Sequence, residues 1–224
     1  MTISKHKAWN LTERYIEDII KSTPNAFELG LKPHLKKCIE WGLVINPWAR
    51  YSLKIALYGH DIERAFPDRI KCENLRRDSP EYKEYKKQHS LNSAKKLVDF
   101  LKKINAEEPM AQEVETLVKY HDVGYVQGLN QNEKGYLAGF DERLYRDLRL
   151  LRDADAISLF DDPETIEMYI LKYGIKDTED KIKKFMFDKL TKKACQKPEV
   201  MAIYKKAEKL IEEKKAIIKS SEFL

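Results

Sequence analysis

The sequence contains few residues that interrupt secondary structure, with only eight glycines and eight prolines among 224 residues. Because glycine and proline are the strongest breakers of helices and strands, their scarcity favours a mainly α-helical protein with short connections. We identify no strand pattern in the sequence. The composition therefore predicts an all-α fold, which is the basis for placing the motifs described below.

Long hydrophobic runs are also missing. No apolar stretch approaches the roughly 20 residues that are needed to cross a bilayer. The first residues, Met1 to Lys7, contain no apolar segment followed by a cleavage site, which is the pattern of a secretory signal. We therefore expect a soluble, cytoplasmic protein with no membrane partner.

Cysteine is scarce as well. The three cysteines, Cys38, Cys72 and Cys195, are widely spaced and form no Cys-x-x-Cys pair. Their odd number and their spacing argue against a disulfide framework and against a zinc knuckle. A reducing cytoplasm fits this usage.

Neither sign of charge dominates, because 42 Lys and Arg stand against 37 Asp and Glu and give a formal net charge of +5. Acids and bases are interleaved, so we expect no specific nucleic-acid binding. Hydrophobic residues make up 42% of the chain and charged residues 35%, which argues against intrinsic disorder. The length favours one domain over residues 1–224, with a core over about 30–160 and C-terminal helices over 161–224 packed on it.

Apolar residues recur at helical spacing in several segments. They predict helices from Asn10 or Thr12 to just before Ser22, Pro33 to Val44, Asn46 to His60, His89 to Ile104, Pro109 to His121 and Glu142 to Phe160, with two or three more in the C-terminal third. The polar segment from Ala65 to Gln88 predicts a long connection with a short helix near Tyr82, and a loop is expected from Gly124 to Gly139. These connections are candidate specificity segments, since long loops often carry function.

The five histidines are His6, His34, His60, His89 and His121, and all but His6 are candidate functional residues. We predict that these remaining histidines lie at or near helix ends. His60 and His121 are each followed by an aspartate, in His60-Asp61 and His121-Asp122. At a helix end, the backbone turn lets an imidazole and the next carboxylate converge on one cation.

His34 precedes His60 by 26 positions, so antiparallel packing of two helices can bring their side chains together. Further along, Asp153 and Asp155 stand in an otherwise apolar helical stretch. Residues two apart on a helix point in different directions, so at most one of these aspartates faces the site. Imidazole nitrogen and carboxylate oxygen are ligands for intermediate and hard divalent ions. The sequence thus predicts a metal site.

The order His34, His60-Asp61, then Asp155 in Ala-Asp-Ala-Ile resembles the HD-domain superfamily of metal-dependent phosphohydrolases. The resemblance covers roughly residues 30 to 215 and implies a single-domain helical bundle of that type. It selects Asp155 over Asp153 as the last ligand, because the family's aspartate follows an alanine and precedes a short apolar pair. Many members continue with glycine and lysine after the His-Asp pair, whereas this chain has Ile62-Glu63-Arg64.

Members with two further histidines between the pair and the last aspartate use them to hold a second metal or to contact phosphate. His89 and His121 occupy those places. The resemblance therefore implies a binuclear site in which Asp61 bridges the ions, with these ligands: His34, His60, Asp61, His89, His121 and Asp155. A second register, His89, His121-Asp122 and Asp155, has the same order and ranks lower, because it leaves His34 and His60 without a role.

The implied function is a metal-dependent phosphohydrolase acting on a small phosphorylated substrate such as a nucleotide. One or two divalent ions are the implied cofactor, and iron, manganese, nickel, zinc and magnesium are not distinguished by these ligands. The ion would lower the pKa of a bound water. Asp61, Glu63 and Arg64 are the predicted catalytic residues. His89, His121 and Arg64 are the predicted contacts to substrate.

Two other functions remain open. The same set of histidines and aspartates resembles the di-iron HD oxygenases, which use O₂ to cleave an organic substrate. A non-catalytic helical binding module with a structural metal would also fit. Substrate-dependent oxygen uptake would identify the first, and a lack of turnover on any phosphoester would favour the second. The sequence does not specify an oligomeric state.

Overall fold

The structure is a computed structural model that describes residues 2–24, 30–72, 75, 79–122, 141–184 and 190–221. Every regular element in these ranges is helical. In chain order they are α1 (Lys5–Ser22), α2 (Leu31–Ile45), α3 (Tyr51–Gly59), a 3-10 helix (Ile62–Ala65), α4 (Pro80–Lys103), α5 (Glu108–Tyr120), α6 (Glu142–Phe160), α7 (Pro163–Tyr173), α8 (Ile175–Lys184), α9 (Lys192–Cys195) and α10 (Pro198–Ser221). No helix among the described residues is long and apolar enough to span a membrane.

The all-α prediction is confirmed, and α6 has the predicted bounds of Glu142 and Phe160. Several helix starts differ from the prediction, because α1 begins at Lys5 and not at Asn10 or Thr12, and α3 begins at Tyr51 and not at Asn46. Helix α4 begins at Pro80, so the short helix expected near Tyr82 and the helix expected from His89 form one continuous element. Ser79 caps this helix by accepting a hydrogen bond from the Tyr82 amide, and proline is favoured in the first turn. His89 therefore lies within a helix and not near its end.

Helix α3 is the centre of the bundle. It is buried along nearly its whole length and contacts α1, α2, α5 and α6, while α4 packs along α5 and α2 along α6. Helices α2 and α3 approach closely at Gly42, where a Cβ atom would lie 2.4 Å from Leu57 Cδ1. One cluster of buried apolar side chains runs from Ala8 in α1 to Ile211 in α10. In this bundle the C-terminal end of α3 lies near the start of α2 and near α6, and the C-terminal end of α5 lies near the middle of α4.

The loop predicted from Gly124 to Gly139 lies outside the described residues, as do some residues of the predicted connection before α4. The suggestion that these connections determine specificity stays a prediction.

Arg50, directly before α3, bridges α5 and α6. Its guanidinium donates to Glu113 Oε1 of α5 at 2.7 Å and, through Nε, to Asp147 Oδ2 of α6 at 3.2 Å. Truncation in Arg50→Ala would leave the buried Asp147 carboxylate without this donor. We expect the free energy of unfolding, measured by urea denaturation, to fall by about 1–3 kcal/mol.

Arg143→Ala is the matched control for this prediction. Arg143 also donates to Glu113 Oε1, at 2.8 Å, but its side chain is 53% exposed. Exposed ion pairs contribute little, so we expect a loss of less than about 1 kcal/mol. Equal losses in the two variants would contradict the bridging role of Arg50.

Candidate metal centre

The structure brings the six predicted ligands together from five places along the chain. His34 lies in the first turn of α2, His60 and Asp61 directly follow α3, and His89 lies within α4. His121 directly follows α5, and Asp155 lies in α6. The helix ends at His60 and His121 point inward because α3 and α5 pack against each other in the core. These six side chains therefore lie close together, and His60, Asp61, His89 and His121 are buried.

Asp61 is the centre of the cluster. Its Oδ1 lies 2.7 Å from His89 Nε2 and 3.5 Å from His121 Nε2. Its Oδ2 lies 3.1 Å from Arg64 Nη1 and 3.7 Å from His34 Nε2. One carboxylate thus faces both halves of the cluster, the first half with His34, His60 and Asp155 and the second half with His89 and His121.

A second group of donors meets at Asp155. The Nε2 atoms of His34 and His60 lie 3.3 Å apart, and Asp155 Oδ1 lies 3.4 Å from the first and 3.6 Å from the second. Donor atoms about 2.0–2.1 Å from a tetrahedrally coordinated ion lie about 3.3 Å from one another. These three atoms therefore have the mutual spacing of ligands to one metal ion.

Backbone carbonyls fix the orientation of two imidazoles. His60 Nδ1 lies 3.1 Å from the Leu57 carbonyl oxygen, and His121 Nδ1 lies 2.7 Å from that of Val118. Each histidine follows its helix directly, where the last carbonyls lack the regular partner four residues on, and the carbonyl three residues earlier is open to the Nδ1–H bond. The Val118 carbonyl also accepts a long bond of 3.4 Å from the His121 amide. This orients Nε2 of each ring toward the cluster, where it offers a lone pair to an ion when the ring is neutral.

Side chains orient the other two imidazoles. His34 Nδ1 lies 3.0 Å from Ser158 Oγ, whose hydroxyl donates to the Asp155 carbonyl at 2.7 Å. His89 differs, because its Nδ1 lies 2.7 Å from Glu63 Oε2 while its Nε2 lies 2.7 Å from the Asp61 carboxylate. Both nitrogens of His89 are therefore engaged by carboxylates. His34 keeps Nε2 available, as His60 and His121 do.

Burial and charge act together on the titration of the cluster. Burial lowers the pKa of His34 to about 4. Burial also disfavours a charged His60, but Asp61 and Asp155 outweigh it and raise the His60 pKa to about 9. Arg64, His60 and His89 hold the pKa of Asp61 well below its usual range in spite of burial. Both Asp61 and Asp155 are thus carboxylates at neutral pH, as metal ligands must be.

Glu63 and Arg64 lie beside Asp61 but in different settings. Glu63 is buried, and its second oxygen, Oε1, accepts a hydrogen bond from the Ile70 amide at 2.6 Å. Both of its oxygens are therefore occupied within the protein. The Arg64 side chain is 35% exposed and contacts Asp61 through one terminal nitrogen. It lies at the solvent side of the cluster.

The structure adds Cys38, Lys86 and Ser158, which sequence reasoning did not select as site residues. It also places Asp122, which the sequence offered only in the lower-ranked register, beside His89 and His121. Cys38 Sγ lies 3.7 Å from His34 Nε2 and donates to Ser158 Oγ, while Lys86 forms an ion pair with Asp122. Cys38 follows His34 by one helical turn and Ser158 follows Asp155 by nearly one, so helical spacing was the signal that could have found them.

Three sets of donor atoms in the described residues are compact enough to hold an ion, with all members of a set within 4.8 Å of one another. They are His34, Cys38, His60 and Asp155; His60, Asp61 and His121; and His89, His121 and Asp122. Each set contains two imidazoles, which suits a transition metal or zinc. The chain therefore carries a buried site that could bind one or more metal ions.

The structure separates the two candidate aspartates of α6. Asp155 faces His34 and His60, whereas Asp153 accepts hydrogen bonds from the amide of Thr191 at 3.1 Å and from its hydroxyl at 2.5 Å. We expect Asp155→Asn to weaken metal binding by at least about 100-fold, more than the loss of an outer hydrogen bond causes. Asp153→Asn should leave the metal Kd unchanged in the same titration calorimetry. Equal losses would contradict this assignment.

Comparison with known proteins adds no assignment to this geometry. No protein-family model, no curated protein and no solved structure matches the chain. The structure itself shows an all-helical protein whose buried histidine and aspartate side chains could hold a metal ion.

Proposed function

We propose that this chain is a metal-dependent phosphohydrolase of HD-domain type that acts on a small phosphorylated substrate such as a nucleotide. One observation carries the proposal. The Nε2 atoms of three imidazoles from separate helices, His34, His60 and His121, face Asp61, and each ring is fixed by a hydrogen bond at its other nitrogen. Such outer hydrogen bonds orient histidine ligands toward metal ions.

The donor set fits a divalent ion. His34, His60 and Asp155 would hold it, since their donor atoms have the spacing of ligands. Asp61 would be the fourth ligand, since its oxygens lie 3.7 Å from His34 Nε2 and 3.9 Å from His60 Nε2, and both aspartates are carboxylates at neutral pH. When bound, a divalent ion supplies Lewis acidity, which lowers the pKa of water and polarises a phosphoryl oxygen. A hydrolase needs both effects near neutral pH.

The exposure of the side chains indicates from which side a substrate can reach the site. The side chains of His60 and Asp61 are buried, whereas Asp155 is 28% and Arg64 35% exposed. A substrate therefore reaches the cluster from the side of Asp155 and Arg64. Guanidinium binds phosphate oxygens through two parallel hydrogen bonds, so Arg64 is suited to hold the phosphoryl group against the cluster.

Glu63 acts in this proposal as a positioning residue. Glu63 Oε2 accepts a hydrogen bond from Nδ1 of His89, and Nε2 of His89 in turn donates to Asp61. This chain of hydrogen bonds fixes the carboxylate that lies between the two halves of the cluster. His121 also directs its Nε2 at the Asp61 carboxylate, and this nitrogen can bind metal or a phosphoryl oxygen.

The proposal is tested by turnover of the metal-loaded chain. Phosphate release from nucleoside mono-, di- and triphosphates would be measured with manganese, nickel, iron, zinc or magnesium, alongside oxygen uptake by the iron-loaded protein. We expect metal-dependent phosphate release that Asp155→Asn abolishes and Asp153→Asn retains. Substrate-dependent oxygen uptake without phosphate release would contradict the proposal and favour the oxygenase. No turnover on any substrate would favour the binding module.

A further inference from the structure

Lys86 places a positive charge beside the second half of the cluster. It lies in α4, one turn before His89, and its ammonium forms a hydrogen-bonded ion pair with Asp122 Oδ1. Asp122 belongs to the donor set that includes His89 and His121. The only carboxylate of this donor set is thus already bound by a cation of the protein.

The local sequence contains an internal comparison. Lys86 and Lys87 are adjacent, but only Lys86 points into the cluster, with a side chain that is 29% exposed and paired with an aspartate. The Lys87 side chain is 57% exposed and lies 3.9 Å from Glu84 on the outer surface of the same helix. If the two lysines acted only through their positive charge, Lys86 and Lys87 would be equivalent.

We propose that Lys86 is the second cation of this centre: the chain binds one divalent ion, between His34, His60, Asp61 and Asp155, and the Lys86 ammonium takes the place of a second ion beside Asp122. An ammonium paired with Asp122 repels a divalent ion at the same carboxylate. Its partial exposure lets it contact a phosphoryl oxygen of the substrate together with Arg64. This inference rests on the proposed function.

The test compares the full chain with Lys86→Gln, Lys86→Arg and the control Lys87→Gln. Bound metal per chain would be measured by elemental analysis after saturation with Mn²⁺ and removal of free ion. Inorganic phosphate would be titrated into each metal-loaded protein by calorimetry. Circular dichroism would confirm that helical content is the same in all proteins.

We expect one equivalent of manganese in the unaltered chain, in Lys87→Gln and in Lys86→Arg, and two equivalents in Lys86→Gln. Phosphate affinity should fall at least about tenfold in Lys86→Gln alone, because a charge-assisted hydrogen bond is lost. Two equivalents in the unaltered chain, or one equivalent and unchanged phosphate affinity in Lys86→Gln, would overturn the inference and leave the proposed function intact. No bound ion in any protein would overturn both.

Discussion

Asp61→Asn is expected to remove metal binding and phosphate release while the helical content of the chain is unchanged. The substitution keeps the size of the side chain but removes the negative charge that faces His34, His89, His121 and Arg64. An amide is a weak ligand compared with a carboxylate, and its NH₂ group would face imidazole nitrogens and a guanidinium. We expect the metal Kd to rise by more than about 100-fold, beyond the effect of losing an outer hydrogen bond.

The control for this variant is Asp68→Asn. Asp68 is also an aspartate near the 3-10 helix, but its side chain is 75% exposed and contacts only Lys96 among the ion pairs in the described residues. Metal affinity and activity should equal those of the unaltered chain. Retained metal binding in Asp61→Asn, measured by titration calorimetry, would show that Asp61 is not a ligand.

Metal binding is expected to raise the thermal stability of the chain. The folded protein holds ionised carboxylates and imidazoles with their nitrogens 3.3 Å apart, and an ion that binds only this state shifts the folding equilibrium. At about 100 times its Kd, an ion adds about 2.7 kcal/mol to the free energy of unfolding. For a chain of this length, that corresponds to an increase in Tm of about 5–10 °C.

Differential scanning calorimetry with and without Mn²⁺ measures this increase. His6→Ala is the control, because His6 is exposed and lies outside the cluster, and it should keep the full increase in Tm. His60→Ala should lose it. An equal increase in Tm in His60→Ala would mean that the stabilising ion binds elsewhere on the chain.

The site could be predicted largely because its residues stand at recognisable points of the chain. His60-Asp61 and His121-Asp122 follow apolar helices, and Asp155 lies within a helix whose bounds were predicted correctly. Order and residue type, interpreted through the resemblance to the HD-domain superfamily, selected six residues that the structure brings together. Ligand chemistry depends on residue type, which the sequence states directly.

Other features depend on packing between distant segments, which helical periodicity does not report. Lys86 and Asp122 are 36 positions apart and meet only because α4 packs along α5. Arg50 likewise joins residues of α5 and α6 that are 63 and 97 positions away. The long helix α4 was predicted as two separate pieces for a different reason. Its first turns, from Pro80 to Gln88, carry mostly polar side chains, so the Ser79-Pro80 start signal was the only local indication.

The most direct test of the metal centre is anomalous scattering from a crystal of the chain soaked in Mn²⁺, with data collected at the manganese edge. We expect an anomalous peak bounded by His34, His60, Asp61 and Asp155, because the first two and Asp155 already have the spacing of ligands around one ion and Asp61 Oδ2 lies 3.7 Å from His34 Nε2. An ordered cluster without a peak, or manganese only at surface carboxylates, would contradict this expectation.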